Sequence, residues 1–249
     1  MSDLLYNTAV LIPLYNNKQY LRKALDSIDI ENLNAYLIIC NDCSIENVEE
    51  ILFEYFEKFN KYPIIIDENN HKIENNIKNK IHYLKHFEVN RHIMITRLDL
   101  IHYSYKLGLE WIGWMDPDDY VDKGYYNELI SYEKECIEKG KKCIFVTQYN
   151  WFPYWDIWIY LHDLSFLYNK LKNIEIYKLI INMAEDVVFF ELFIHNILRV
   201  NMNNRYYYNR NNSNSLCHIF KKDITRFDCD YIELFCKINL YSHKIDDFI

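Results

Sequence analysis

The chain has 249 residues, half of them hydrophobic, which is enough to bury a large core and too apolar for a disordered polymer. Its 36 acidic and 28 basic residues leave a formal charge of −8, which argues against a general nucleic-acid-binding surface. Seven cysteines form no zinc-like set, because Cys40 and Cys43 are the lone CxxC-like pair, so reduced thiols of a cytoplasmic protein are expected. No window reaches the roughly 18 apolar residues of a membrane span. The opening MSDLLYNTAVLIPLY has no basic segment and no long apolar run of a secretory leader.

In chain order, TAVLIPLY (8–15) is an apolar run closed by Pro13 and reads as a buried strand. NKQYLRKALDSI (17–28) follows with Tyr20, Leu21, Ala24, Leu25 and Ile28 at helical intervals. AYLIICND (35–42) is a second strand. Ser44 is the expected N-cap of an amphipathic helix over Asn47–Phe59. YPIIID (62–67) is a third strand, and βαβαβ alternation predicts a mostly parallel sheet with helices on both faces. A loop and then a helix are expected around 77–88, a strand over 91–98, a short helix in DLIHYSYKLGL and a strand in EWIGWM. Residues 123–140 read as helix stopped by Gly140, and 142–151 as strand.

WIGWMDPDDYVD (111–122) gathers three carboxylates, Asp116, Asp118 and Asp119, where an apolar strand ends. Two readings compete. Asp-Pro-Asp-Asp is a serviceable turn leading into a helix. Equally, carboxylates this close repel one another unless a hard cation or hydrogen-bond donors offset the charge. The polar ends Tyr15-Asn16, Asn41-Asp42 and Asp116–Asp119 are all expected at the carboxyl edge of one sheet, where open α/β sheets bind ligands.

These segments resemble family 2 glycosyltransferases of GT-A fold. VLIPLYNNKQYLRKALDSI is similar to the family's opening, LIICNDCSIENVEEIL to its second strand and WIGWMDPDDYVD to its Asp-x-Asp-Asp element. FLYNKLKN, MAEDVVFF and YYYNRNNSNS resemble the family's later Asn-Lys-Leu, Glu-Asp and Tyr-x-Tyr-Arg…Ser-x-Ser elements, so six elements run in family order across residues 9–215. The resemblance implies a Rossmann-like, mostly parallel sheet flanked by helices over 1–215, with a nucleotide-binding half (1–122), an acceptor-binding half (123–215) and a helical C-terminal extension (216–249).

It further implies a metal-dependent inverting transferase that moves a sugar from a nucleoside-diphosphate donor, a UDP-sugar first, to a glycan or lipid-linked saccharide. Such a protein would work in bacterial surface polysaccharide synthesis, with peripheral contact at the inner face of the membrane left open. Carried over by position, Pro13 and Tyr15 border the base and Asp42 accepts a hydrogen bond from it. Asp116 approaches the ribose or the metal, Asp118 ligates Mn²⁺ or Mg²⁺, Asp186 is the general base and Arg210 faces the diphosphate or belongs to a closing loop. His218 is a further metal ligand or a structural histidine.

Some positions depart from the family. Asn41 stands where it often has Asp, and Cys43 where it often has Gly. The usual Ala-Arg-Asn element finds no good match, and Arg97 is the residue placed to take over its electrostatic role. Other readings stay open beside these. Glu185 and Asp186 also suit the first turn of a helix. The aromatics of 150–168, Trp151, Trp155 and Trp158 among them, suit a sugar platform or core packing. A non-catalytic nucleotide-sugar-binding module of the same fold is the alternative function, and a nucleotidyltransferase is disfavoured because no Gly-rich phosphate loop follows the first strand.

Overall fold

A computed structural model describes residues 5–59, 64–67, 79–86, 90, 93–146, 157–161 and 197–207. Strand β1 (Thr8–Leu14) is buried at all seven positions, as is β2 (Tyr36–Asp42), so both lie inside the sheet rather than at its rim. They pair in parallel, with Ala9 opposite Tyr36 and Leu14 opposite Asn41. On its other side β1 pairs in parallel with β5 (Trp111–Trp114). With β3 (Ile64–Asp67), β4 (Ile81–His86), β7 (Cys143–Val146), β8 (Ile157–Tyr160) and β9 (Ile197–Val200), the eight strands run in the order β3-β4-β2-β1-β5-β8-β7-β9. All of these pairs are parallel except those made by β8, which is antiparallel to β5 and β7. The mostly parallel sheet expected from the βαβαβ order is therefore present.

Helix α1 (Lys18–Ser27) buries Leu21, Ala24 and Leu25, the stripe expected from its spacing. Helix α2 (Val48–Lys58) starts one residue later than expected, and its cap is Asn47, whose side chain accepts the Glu50 N–H. Ser44 is not that cap. Its hydroxyl accepts the Asn16 N–H at 2.8 Å and so ties the turn after β2 to the turn after β1.

Two expectations fail. Residues 81–86 are strand β4, not helix, because a strand buried on both faces has no period-2 alternation to announce it. Its buried His82 disguises it further, held between the Tyr103 hydroxyl at 2.7 Å and the Asn79 carbonyl at 2.8 Å. Residues 93–107 are one helix, α3 (Ile93–Leu107), and not a strand followed by a short helix. Its buried positions, Thr96, Arg97, Leu100, Ile101, Tyr103, Ser104 and Leu107, recur at helical spacing, but three are polar or charged and break the apolar pattern.

The helical stretch after the acidic turn divides into α4 (Tyr125–Ser131) and α5 (Glu133–Glu138), and Gly140 closes it with φ 63°. A separate antiparallel ribbon joins β6 (Tyr120–Val121) to β10 (Tyr206–Tyr207). Cys40, Cys136 and Cys143 are buried thiols and Cys43 is a partly exposed one, so the four cysteines within the described residues are all reduced. Trp158 is fully buried and packs on Tyr126, which makes it core, while Trp151 and Trp155 lie outside the described residues. Most of the expected strand over 142–151 beyond Val146 lies outside them too. Among the described residues no helix is long and apolar enough to cross a membrane.

Candidate active site

Parallel pairing of β2, β1 and β5 puts their carboxyl ends on one edge of the sheet, with β1 in the middle. Pro13 is buried within β1 opposite Cys40, and Tyr15, one residue past the strand, is 41% exposed at the edge. Asn16 and Asn17 follow in the left-handed region at φ 56° and 64°. The Asn16 side-chain oxygen accepts the N–H groups of Ile45 and Glu46, which locks the two turns together and helps hold an unfavourable backbone. Cys43 also has φ 56°. The turn thus keeps the conformation that glycine adopts freely, at a cost of about 1 kcal/mol.

Asn41 is buried and used on both sides of its amide. Its nitrogen donates to the Tyr83 hydroxyl at 2.9 Å and its oxygen accepts the Ser44 N–H at 3.0 Å. The Tyr83 hydroxyl in turn donates to Glu49, which also pairs with Lys85. A carboxylate at position 41 would have no proton to give to Tyr83. Asparagine therefore fits this network, and the single carboxylate left at the strand end is Asp42.

Asp42 is 2% exposed, and one of its oxygens lies 2.8 Å from His86 Nδ1. The other ring nitrogen of His86 lies 3.1 Å from Asp99 of α3. Burial alone would pull the imidazole down, but the bonds to Asp42 and Asp99 outweigh it and push its pKa up to about 12. Sequence reading missed both His86 and Asp99, because the strand carrying one was read as helix and the start of the helix carrying the other as strand.

Arg97, 5% exposed, meets Asp116 at 3.0 Å, and its guanidinium lies 5.0 Å from the centre of the Trp114 ring. Sequence reading offered Arg97 in the electrostatic role of the family's Ala-Arg-Asn element, and α3 brings it to Asp116 just past β5. The carboxylates after β5 are not equivalent. Asp119 is buried and accepts the Tyr206 hydroxyl at 2.8 Å, and its N–H closes a turn onto the Asp116 carbonyl at 3.1 Å. Asp116 and Asp118 are both partly exposed. Asp119 therefore serves the turn, while Asp116 and Asp118 lie at its partly exposed side.

Among the described residues no group of three or more His, Cys, Asp or Glu side chains is placed to hold a metal ion. The two exposed carboxylates still suit a Mg²⁺-like ion, which typically takes one or two protein carboxylates and fills its remaining positions with substrate phosphates and water. The other residues expected here, Asp186, Arg210 and His218, lie outside the described residues.

Comparison with known proteins adds to this geometry. Residues 9–86 match the profile of glycosyl transferase family 2. An uncharacterized glycosyltransferase of Mycoplasma genitalium is 29% identical over 124 residues, which is 49% of this chain and 40% of that protein, so the chain spans about two-fifths of that relative's length. Among solved structures, S. aureus TarS 1-349 in complex with UDP-GlcNAc aligns at TM-score 0.40 and 15% identity over 59% of this chain and 36% of that one. The 4-diphosphocytidyl-2C-methyl-D-erythritol synthase of Anaerococcus prevotii aligns at TM-score 0.49 and 12% identity over 78% of this chain and 86% of that one. Residues 9–86, the segment from β1 to the end of β4, are thus similar to glycosyl transferase family 2, and they open a mostly parallel, Rossmann-like sheet.

Proposed function

We propose that the chain is a metal-dependent, inverting glycosyltransferase that moves a sugar from a nucleoside-diphosphate donor to a hydroxyl of a glycan or lipid-linked saccharide. The observation that supports this reading is that Asp42 ends β2 and Asp116 and Asp118 follow β5, the two parallel neighbours of β1, with Arg97 of α3 paired to Asp116, in a sheet whose first strands match the family. Asp42 takes the donor's base by accepting a ring N–H, with Pro13 and Tyr15 bordering it. An acceptor-only carboxylate suits uracil and guanine alike, and on the resemblance UDP comes first among donors. Asp116 and Asp118 hold Mn²⁺ or Mg²⁺, which when bound supplies positive charge against the departing diphosphate.

Arg97 holds Asp116 in place on the protein side. On the resemblance, Asp186 takes the proton of the attacking acceptor hydroxyl, because such a hydroxyl is far too weak an acid to ionise unaided. One base opposite the leaving group gives a single displacement with inversion. Arg210 and His218 belong to the diphosphate and the metal on the same grounds. Surface polysaccharide synthesis at the inner face of the membrane is the setting the resemblance implies.

A non-catalytic nucleotide-binding module is the second reading. It is favoured by the internal balance of the acidic edge, where Asp42 already pairs with His86 and Asp116 with Arg97. Calorimetric binding of UDP, GDP and CDP with and without Mn²⁺, on wild type and Asp118→Ala, tests the site. Binding of one nucleotide that needs both Mn²⁺ and Asp118, followed by turnover or hydrolysis of its sugar, supports the transferase. Binding without turnover selects the module, and no binding returns the Asp116–Asp119 segment to a turn.

A further inference from the structure

His86 sits between two carboxylates contributed by different elements, Asp42 at the end of β2 and Asp99 on α3, at 2.8 and 3.1 Å. A neutral imidazole carries one N–H and can donate to one partner only. A carboxylate oxygen within 3.1 Å of each ring nitrogen favours the doubly protonated imidazolium over a neutral ring, which would donate to Asp42 and take the Cys40 S–H at Nε2. Among the described residues the Cys40 thiol also faces it, 3.7 Å from Nε2, and burial pushes that thiol up and so keeps it neutral. His86 and Asp42 are almost wholly enclosed, with side chains 5% and 3% exposed, whereas Asp99 is 30% exposed.

We infer that His86 is a positioning residue for the donor nucleobase, a fixed cation that keeps the Asp42 carboxylate ionised and oriented to accept a ring N–H. The inference rests on the proposed nucleotide reading of this crevice and deepens it. An enclosed carboxyl beside a second carboxylate would otherwise bind a proton, because burial and like charge both disfavour its anion. A protonated Asp42 would present a donor where the base presents one too. With His86 in place the site recognises bases that offer a ring N–H, as uracil and guanine do, over cytosine and adenine, whose corresponding ring nitrogen is an acceptor.

Two measurements test this. In wild type, the imidazole ¹H–¹⁵N spectrum at pH 9 should show one of the nine histidines still doubly protonated, since ordinary histidines are neutral there. That measurement needs no variant. In the second, UDP binding with Mn²⁺ is followed from pH 5.5 to 8.5 in wild type and in His86→Gln, with thermal melts confirming that both are folded. Wild-type affinity should change less than threefold across the range, while His86→Gln should bind at least tenfold more weakly at pH 6 than at pH 8.5, as Asp42 takes up a proton. No doubly protonated histidine at pH 9, or a His86→Gln profile that matches wild type, overturns the inference. A wild type that binds no nucleotide at any pH, with the imidazolium signal present, overturns the crevice reading and the positioning role together while leaving the charge geometry intact.

Discussion

The Tyr206 hydroxyl donates to Asp119 Oδ2 at 2.8 Å and, with the same oxygen, accepts the Asp116 backbone N–H at 3.2 Å. One side chain from β10 thereby grips both ends of the acidic turn, and the β6–β10 ribbon fixes that side chain in turn. Stacking of Tyr207 on Tyr120, with ring centres 4.8 Å apart, and Lys23 lying 3.3 Å from the centre of the Tyr120 ring, stiffen the same ribbon. Replacing Tyr206 by Phe keeps the ring and leaves a buried carboxylate short of a donor. A hydrogen bond to a charged group contributes about 1.5–3 kcal/mol, so urea denaturation of Tyr206→Phe should show a loss in that range. A midpoint equal to wild type would mean the turn holds its shape without the ribbon.

Asp118 and Asp119 are adjacent in sequence and should behave as opposites. Asp119 is buried and accepts from Tyr206, so Asp119→Asn should lower unfolding free energy by about 1–3 kcal/mol. Asp118 is partly exposed, and Asp118→Asn should leave stability within about 0.5 kcal/mol of wild type while removing the Mn²⁺ dependence of nucleotide binding. Parallel denaturation and calorimetry on the two variants separate the roles. Equal stability losses would show that the two carboxylates share one structural duty.

How much of this could be read from the chain depends on where each residue's partner lies. Strands β1 and β2 are unbroken apolar runs and α1 and α2 carry apolar stripes, so local pattern sufficed for them. Strand β4 and helix α3 put His82, Thr96, Arg97 and Ser104 into buried positions; His82 and Arg97 find Tyr103 and Asp116 on other elements, Ser104 bonds back to the Leu100 carbonyl of its own helix, and periodicity misread both elements. The carboxylates of the site were visible because they end apolar strands. His86 and Tyr206 were not, since each acts on a partner far along the chain, 44 residues away for Asp42 and 87 for Asp119. Nothing near either residue signals such a contact.

Gly113 lies in the middle of β5 and its missing side chain is filled by Trp158. A Cβ built there would sit 1.9 Å from Trp158 Cε3 and 2.2 Å from Cζ3. The indole has little room to retreat, since it is fully buried and its nitrogen donates to Glu133 at 2.7 Å. Overpacking typically costs about 1–3 kcal/mol, and Gly113→Ala should fall at or beyond the top of that range. Trp158→Leu alone should destabilise by creating a cavity. The double variant should be more stable than the sum of the single losses predicts, because shrinking the indole removes the clash. Additive losses in chemical denaturation would count against this contact.

Glu133 carries the clearest pH dependence outside the crevice. One of its oxygens accepts both the Thr8 hydroxyl at 2.8 Å and the Trp158 N–H at 2.7 Å, which joins α5 to β1 and β8. Burial raises its pKa to about 7, the two hydrogen bonds pull the other way, and Glu110 adds a smaller upward push. The folded state therefore binds this proton more tightly than the unfolded chain, whose carboxyl titrates at about 4.3. The resulting stabilisation is complete below the unfolded value and is lost as pH rises through about 7, a change of up to about 4 kcal/mol. His86, raised in the same direction, contributes a similar loss only above its unfolded value of about 6.5, so the window from pH 4.5 to 6.5 isolates Glu133. Glu133→Gln keeps an oxygen to accept both bonds and removes the titration. Its unfolding free energy minus that of wild type should rise steadily from pH 4.5 to 7 in urea melts, and a pH-independent difference would show that Glu133 ionises in the folded protein as it does in the unfolded one.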